Sequence, residues 1–132
     1  MPGPVFQKGT LLIPTGGSDH LHVVMNDPIH CPVHGHVVVL LVNISTVYPD
    51  KFHDTSCILT PGGHPFINRD SWVVYREAVI SRVDRVENGV NQNVIRTHQP
   101  FQQNVFDQVR YGFDVSPHVA TKITRFLKQH QI

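Results

Sequence analysis

The chain has 132 residues, 40% hydrophobic and 16% charged, which suits one globular domain and leaves no room for a second of ordinary size. Eleven Lys and Arg against ten Asp and Glu give a formal net charge of +1, so the broad positive field of a generic polyanion binder is missing. The longest apolar run, Val37 to Val42, is six residues, against roughly 20 needed to cross a bilayer; with no basic and apolar leader pattern in Met1-Pro2-Gly3-Pro4, a soluble, cytoplasmic protein with no membrane partner is expected.

Gly9 to Pro14 is a short apolar run closed by Pro14 and by Thr15-Gly16-Gly17-Ser18, which reads as a buried strand and a turn. His20 to Met25 resumes strand character and stops at Asn26-Asp27-Pro28; His30 to Gly35, with Pro32 and Gly35, reads as an irregular loop. Val37 to Ile44 is β-branched and lies between turn signals, the pattern of a central strand buried on both faces. Ser56 to Thr60 is a further short strand, and Pro61-Gly62-Gly63 turns it into His64-Pro65-Phe66-Ile67. Ser71 to Ile80 is a longer strand, with Val79 to Val83 continuing past a bend or bulge. Closely spaced strands with no helix between them favour a small antiparallel barrel.

Beyond Asn88-Gly89 the period changes. Phe101, Val105 and Val109 recur at helical spacing behind Pro100, and Gly112 stands where that helix would stop. A second helix is predicted from Ser116 as N-cap and Pro117 at the first position, with Val119, Ile123, Phe126 and Leu127 as its apolar face. The expectation is one α+β domain, mainly β, with a barrel over residues 8–90 and two C-terminal helices over 98–130.

Charge and histidine are unevenly distributed. Up to Asn68 two lysines face four aspartates, and seven of the ten histidines fall there; beyond it nine Lys and Arg face six carboxylates. The first part therefore offers titratable nitrogens, and the second offers permanent cations. His20 and His22, two apart on a predicted strand, leave the same face about 6 to 7 Å apart at Cα. Beside Asp19 they are candidates for a metal site or for acid–base work, and the plainer alternative is a solvated pair. His30-Cys31-Pro32-Val33-His34-Gly35-His36 packs four possible ligands into seven residues without zinc-finger spacing. His34 and His36 could join His20 and His22 around zinc or another transition metal, or face water.

His53, Asp54, Cys57 and His64 form a third group, in which a carboxylate can orient an imidazole and an imidazole can lower a thiol pKa. The structural alternatives are a turn-capping Asp54, a core Cys57 and a loop-holding His64. Cys31 and Cys57 are expected as free thiols, since two cysteines do not make a disulfide scaffold. Arg69, Arg76, Arg82 and Arg85 lie in or near the late strand. Arg76 and Arg82 would share a face in the absence of a bulge, with Tyr75 or Trp72 beside an anion-binding groove; the alternative is ion pairing with Asp70, Glu77, Asp84 and Glu87.

The early Lys8-Gly9-Thr10 strand, the strand leading into a loop, the Val-rich strand ending Asn43-Ile44-Ser45-Thr46 and the late strand running into Val83-Asp84-Arg85-Val86 resemble the PemK/MazF toxin superfamily over residues 8–90. The resemblance implies an SH3-like barrel with helical decoration. It also implies a metal-independent endoribonuclease of a toxin–antitoxin pair, with RNA as substrate, an antitoxin-like protein as partner and a homodimeric state. The family's strand-start arginine matches His20 here, and its strand-end threonine matches Ser45 followed by Thr46, so the transition-state clamp departs from the family pattern. On this reading His20 or His64 moves the proton, with Asp54 beside them, while Ser45 and an arginine such as Arg69 or Arg76 bind phosphate near Tyr75. No cofactor is needed; the competing readings are a zinc-type hydrolase or sensor, and a non-enzymatic protein-interaction module.

Overall fold

A computed structural model describes residues 3–132; the Met1-Pro2 start of the segment read for a leader lies outside them. The strands are β1 (Thr10–Thr15), β2 (Ser18–Val24), β3 (Ile29–Cys31), β4 (His36–Thr46), β5 (Ile58–Leu59), β6 (Ser71–Val73), β7 (Val79–Arg82) and β8 (Arg96–His98), and the helices are α1 (Val83–Asn91), α2 (Gln103–Val115) and α3 (Thr121–Gln129). All the strand pairs are antiparallel. The fold is α+β and mainly sheet.

β4 is the axis of the sheet. One of its edges pairs with β3 and then β2, and the other with β7 and then β6. Val38 to Val42 are at most 2% exposed, so this β-branched run is covered on both faces as its composition predicts. Each such side chain contributes about 1.5–3 kcal/mol on burial. Alternation sorts the residues. Val38, Leu40, Val42 and Ile44 join Leu12, Leu21 and Val23 in the larger core, where Phe106, Val109 and Phe113 of α2 and Ile123, Phe126 and Leu127 of α3 meet them. On the opposite face Val39 and Leu41 join Leu11 and Val24 under Val83 and Val86 of α1.

The sheet is not closed as a barrel. It runs β5-β6-β4-β2-β1-β8, with two-residue β5 and three-residue β8 at its ends. The apolar faces of α2 and α3 fill the larger core, supplying the wall that strand closure would otherwise provide.

Five local expectations change. His30 and Cys31, read as loop, pair with β4 in β3, and α2 runs through Gly112 to Val115. The late strand does not run through: a single 3-10 turn, Tyr75–Glu77, separates β6 from β7. Val83-Asp84-Arg85-Val86 begins helix α1 rather than extending a strand. Gly89 sits inside that helix because Ile95 packs on it, and an added Cβ would lie 2.7 Å from Ile95 Cδ1. The last helix begins at Thr121, not Ser116. The Ser116 amide is bonded to the Gly112 carbonyl at 2.8 Å, closing α2, and its hydroxyl is taken by Asp54.

Candidate functional site

The face of the sheet covered by α1 is only half covered. Leu11, Val24, Val39 and Leu41 lie beneath the helix, and the same face continues as a polar surface toward the far end of β4. There the register pairs His22 with Asn43, Leu21 with Ile44 and Ser45 with Trp72, so the next step along β2 brings His20 beside Ser45. An open cleft of about 420 Å³ results, with His20, Asn43, Ser45 and Trp72 on its strands, Thr15, Gly16 and Ser18 at the β1–β2 turn, Arg76 and Glu77 from the 3-10 turn, and Val74 just before it.

The 3-10 turn aims these groups. Tyr75 enters the core at 1% exposure, donating its hydroxyl to the Val109 carbonyl at 2.7 Å, and burial pushes its pKa up. The next two residues, Arg76 and Glu77, are exposed and face the cleft. The Arg76 guanidinium lies 5.2 Å from the Phe52 ring centroid and 5.7 Å from that of Trp72, both within cation–π range. The salt bridges among the described residues join Arg82 to Asp84, Arg96 to Asp19 and Arg110 to Asp114, so Arg76 is in none of them.

His22 borders the cleft on its α1 side. Its Nδ1–H donates to the His20 carbonyl at 3.0 Å, which fixes the tautomer and leaves Nε2 as the acceptor. Burial lowers its pKa, against that hydrogen bond and the nearby Glu77 carboxylate, which act in the other direction.

Thus His20, Ser45 and Arg76 meet, and the other candidates do not join them. Asp54 is buried elsewhere, accepting from the Ser56 amide at 2.9 Å and hydroxyl at 2.6 Å and from the Ser116 hydroxyl at 2.5 Å. Burial acts to raise its pKa, but these hydrogen bonds outweigh it and hold the carboxyl below its ordinary value. His64 is 3% exposed; its Nε2–H donates to the Gln99 carbonyl at 2.7 Å and its Nδ1 accepts from the Phe66 amide at 3.0 Å. Both nitrogens are therefore committed to holding the loop before Ile67, and burial lowers the His64 pKa.

Tyr75, expected beside a ligand, is a core residue; Arg69 is exposed on the loop before β6 and lines none of the cleft. Arg82 stands opposite Val38 and pairs with Asp84 at 2.6 Å, because the 3-10 turn breaks the even spacing from Arg76. Cys31 and Cys57 are free and buried, and burial raises the Cys57 pKa.

The four-histidine metal reading loses its geometry. His36 begins β4 and His34 precedes it, exposed, while His22 stands opposite Asn43 and His20 beside Ser45, a separation from His36 of about 23 to 30 Å at strand rise. Among the described residues no group of three or more His, Cys, Asp or Glu side chains is placed to hold a metal ion. Sequence reasoning missed Asn43 and Glu77 as parts of the cleft. Asn43 carried a signal, being the first polar residue to interrupt the apolar run of β4 on its otherwise apolar face.

In comparisons with protein-family models, curated proteins and solved structures, the chain has no significant match. No helix among the described residues is long and apolar enough to cross a membrane.

Proposed function

We propose that the cleft binds a phosphodiester of single-stranded RNA and that the protein is a metal-independent endoribonuclease, the activity implied by the PemK/MazF resemblance. The observation that supports this reading is the convergence of His20, Ser45 and Arg76 on one open cleft. The His20 imidazole takes the proton of a 2′-hydroxyl as its oxygen attacks phosphorus, and returns it to the departing 5′-oxygen. The P–O5′ bond breaks, leaving a 2′,3′-cyclic phosphate and a 5′-hydroxyl. Arg76 and the Ser45 hydroxyl face the non-bridging oxygens, where charge accumulates in the transition state. The single long strand shared by β2, β3, β6 and β7 supports reading the sheet as an SH3-like one left open. An antitoxin-like partner and a homodimer belong to the same proposal.

Tag-free protein incubated with RNA oligonucleotides in chelator tests it. The expected products end in cyclic phosphate, His20→Ala slows their formation by about 100-fold or more, and Arg76→Ala raises KM. RNA left intact by the wild-type protein, or cut equally fast by His20→Ala, overturns it.

A further inference from the structure

Phe52 is 57% exposed and belongs to neither core cluster. Its surroundings are nevertheless ordered around it. The ring meets Trp72 edge-on at 6.1 Å and His118 edge-on at 5.4 Å, and the Arg76 guanidinium lies over it at 5.2 Å. Two residues on, Asp54 is bonded to Ser116, itself two residues before His118, so the loop carrying Phe52 is tied to the turn carrying its aromatic neighbour. A guanidinium is usually steadied by a carboxylate, which also cancels its charge. Two aromatic faces steady it while leaving the charge in place.

We propose that Phe52, together with Trp72, is a positioning residue that holds Arg76 out of any salt bridge, Glu77 being the carboxylate that lines the same cleft, and so makes one side of the cleft a receptor for a single phosphate-class anion. The inference rests on reading the cleft as a phosphodiester site, and it adds the residue that sets its affinity. Phe52 touches Arg76 and not the reacting atoms, so its loss weakens anion binding without removing the proton-transfer group.

The test follows the Arg76 Nε–H resonance in the intact protein by NMR while inorganic phosphate or dimethyl phosphate, a diester, is added. In the free protein the resonance is expected to carry a ring-current shift that Phe52→Leu loses and Phe52→Tyr keeps. Both anions are expected to move it, with Phe52→Leu binding about three-fold more weakly and Phe52→Tyr restoring affinity. A Phe52→Leu protein with an unchanged Arg76 resonance and unchanged anion affinity overturns the inference, as does a wild-type resonance that neither anion moves. A response to inorganic phosphate alone keeps the clamp and removes the diester reading. Unchanged amide spectra across the variants show that the fold is intact.

Discussion

The Asp54 carboxylate accepts the Ser116 hydroxyl at 2.5 Å, tying the loop between β4 and β5 to the turn between α2 and α3. The same carboxylate accepts two hydrogen bonds from Ser56, so it serves as a hub for two segments distant in sequence. Asp54→Ala is expected to cost about 2 kcal/mol, since charge-assisted bonds and the donors they satisfy are lost together. The sign of the pH dependence follows from the lowered pKa. The contribution is complete above the unfolded carboxyl pKa of about 3.9 and is lost as pH falls through the lower folded value. Urea midpoints from pH 3 to 6 should converge at the acid end for the wild type and Asp54→Asn; parallel curves would show the charge to be idle.

His64 gives a pH dependence of the same sign in a higher window. Burial lowers its folded pKa, so between that value and the unfolded value of about 6.5 the unfolded chain binds the extra proton. Stability is therefore full above about pH 6.5 and falls as pH drops through that window. The wild type should lose more of its urea midpoint between pH 7.5 and 5.5 than His64→Gln, whose amide can still donate to Gln99. An equal loss in both would mean that His64 is protonated without penalty.

Gly112 is required by a neighbour. A Cβ there would lie 1.7 Å from Tyr75 Oη, and that hydroxyl is already bonded to Val109. Gly112→Ala should destabilise by about 3 kcal/mol through overpacking and a broken buried bond. Tyr75→Phe removes the clashing oxygen, so the double variant should lose less than the two single losses combined. Strict additivity in thermal melts would contradict the contact.

The cleft carries one guanidinium and one carboxylate, Arg76 and Glu77, not a cationic track. Binding of a single-stranded RNA should therefore depend weakly on salt, with log K falling against log salt at a slope of about −0.7. A slope several times steeper, retained in Arg76→Ala, would place the RNA on another surface.

Much of this arrangement was legible where residues speak for themselves. The Val37 to Ile44 run declared a two-sided strand, and Val105 and Val109 declared a helix, although Phe101 lies ahead of its N-cap Gln102 and Gly112 inside it rather than at its end. The histidine pair on β2 and Ser45 on β4 stood out by residue type, but the meeting of His20 with Ser45 depends on register, which no local pattern specifies. Helix α1 was hidden because Val83, Val86 and Val90 suit either a strand or a helix. The decision comes from their packing on Val39 and Leu41, a tertiary matter. Asp54 and His64 stayed between two roles for a related reason: an acid and an imidazole look the same in sequence whether they serve a substrate or a loop.

The 3-10 turn makes a core anchor and a cleft cation consecutive residues, Tyr75 and Arg76. A screen for inactive variants should consequently return Gly112, on the far side of the sheet, beside true cleft residues. Repacking α2 against Tyr75 would retune the cleft with no change to any residue that lines it.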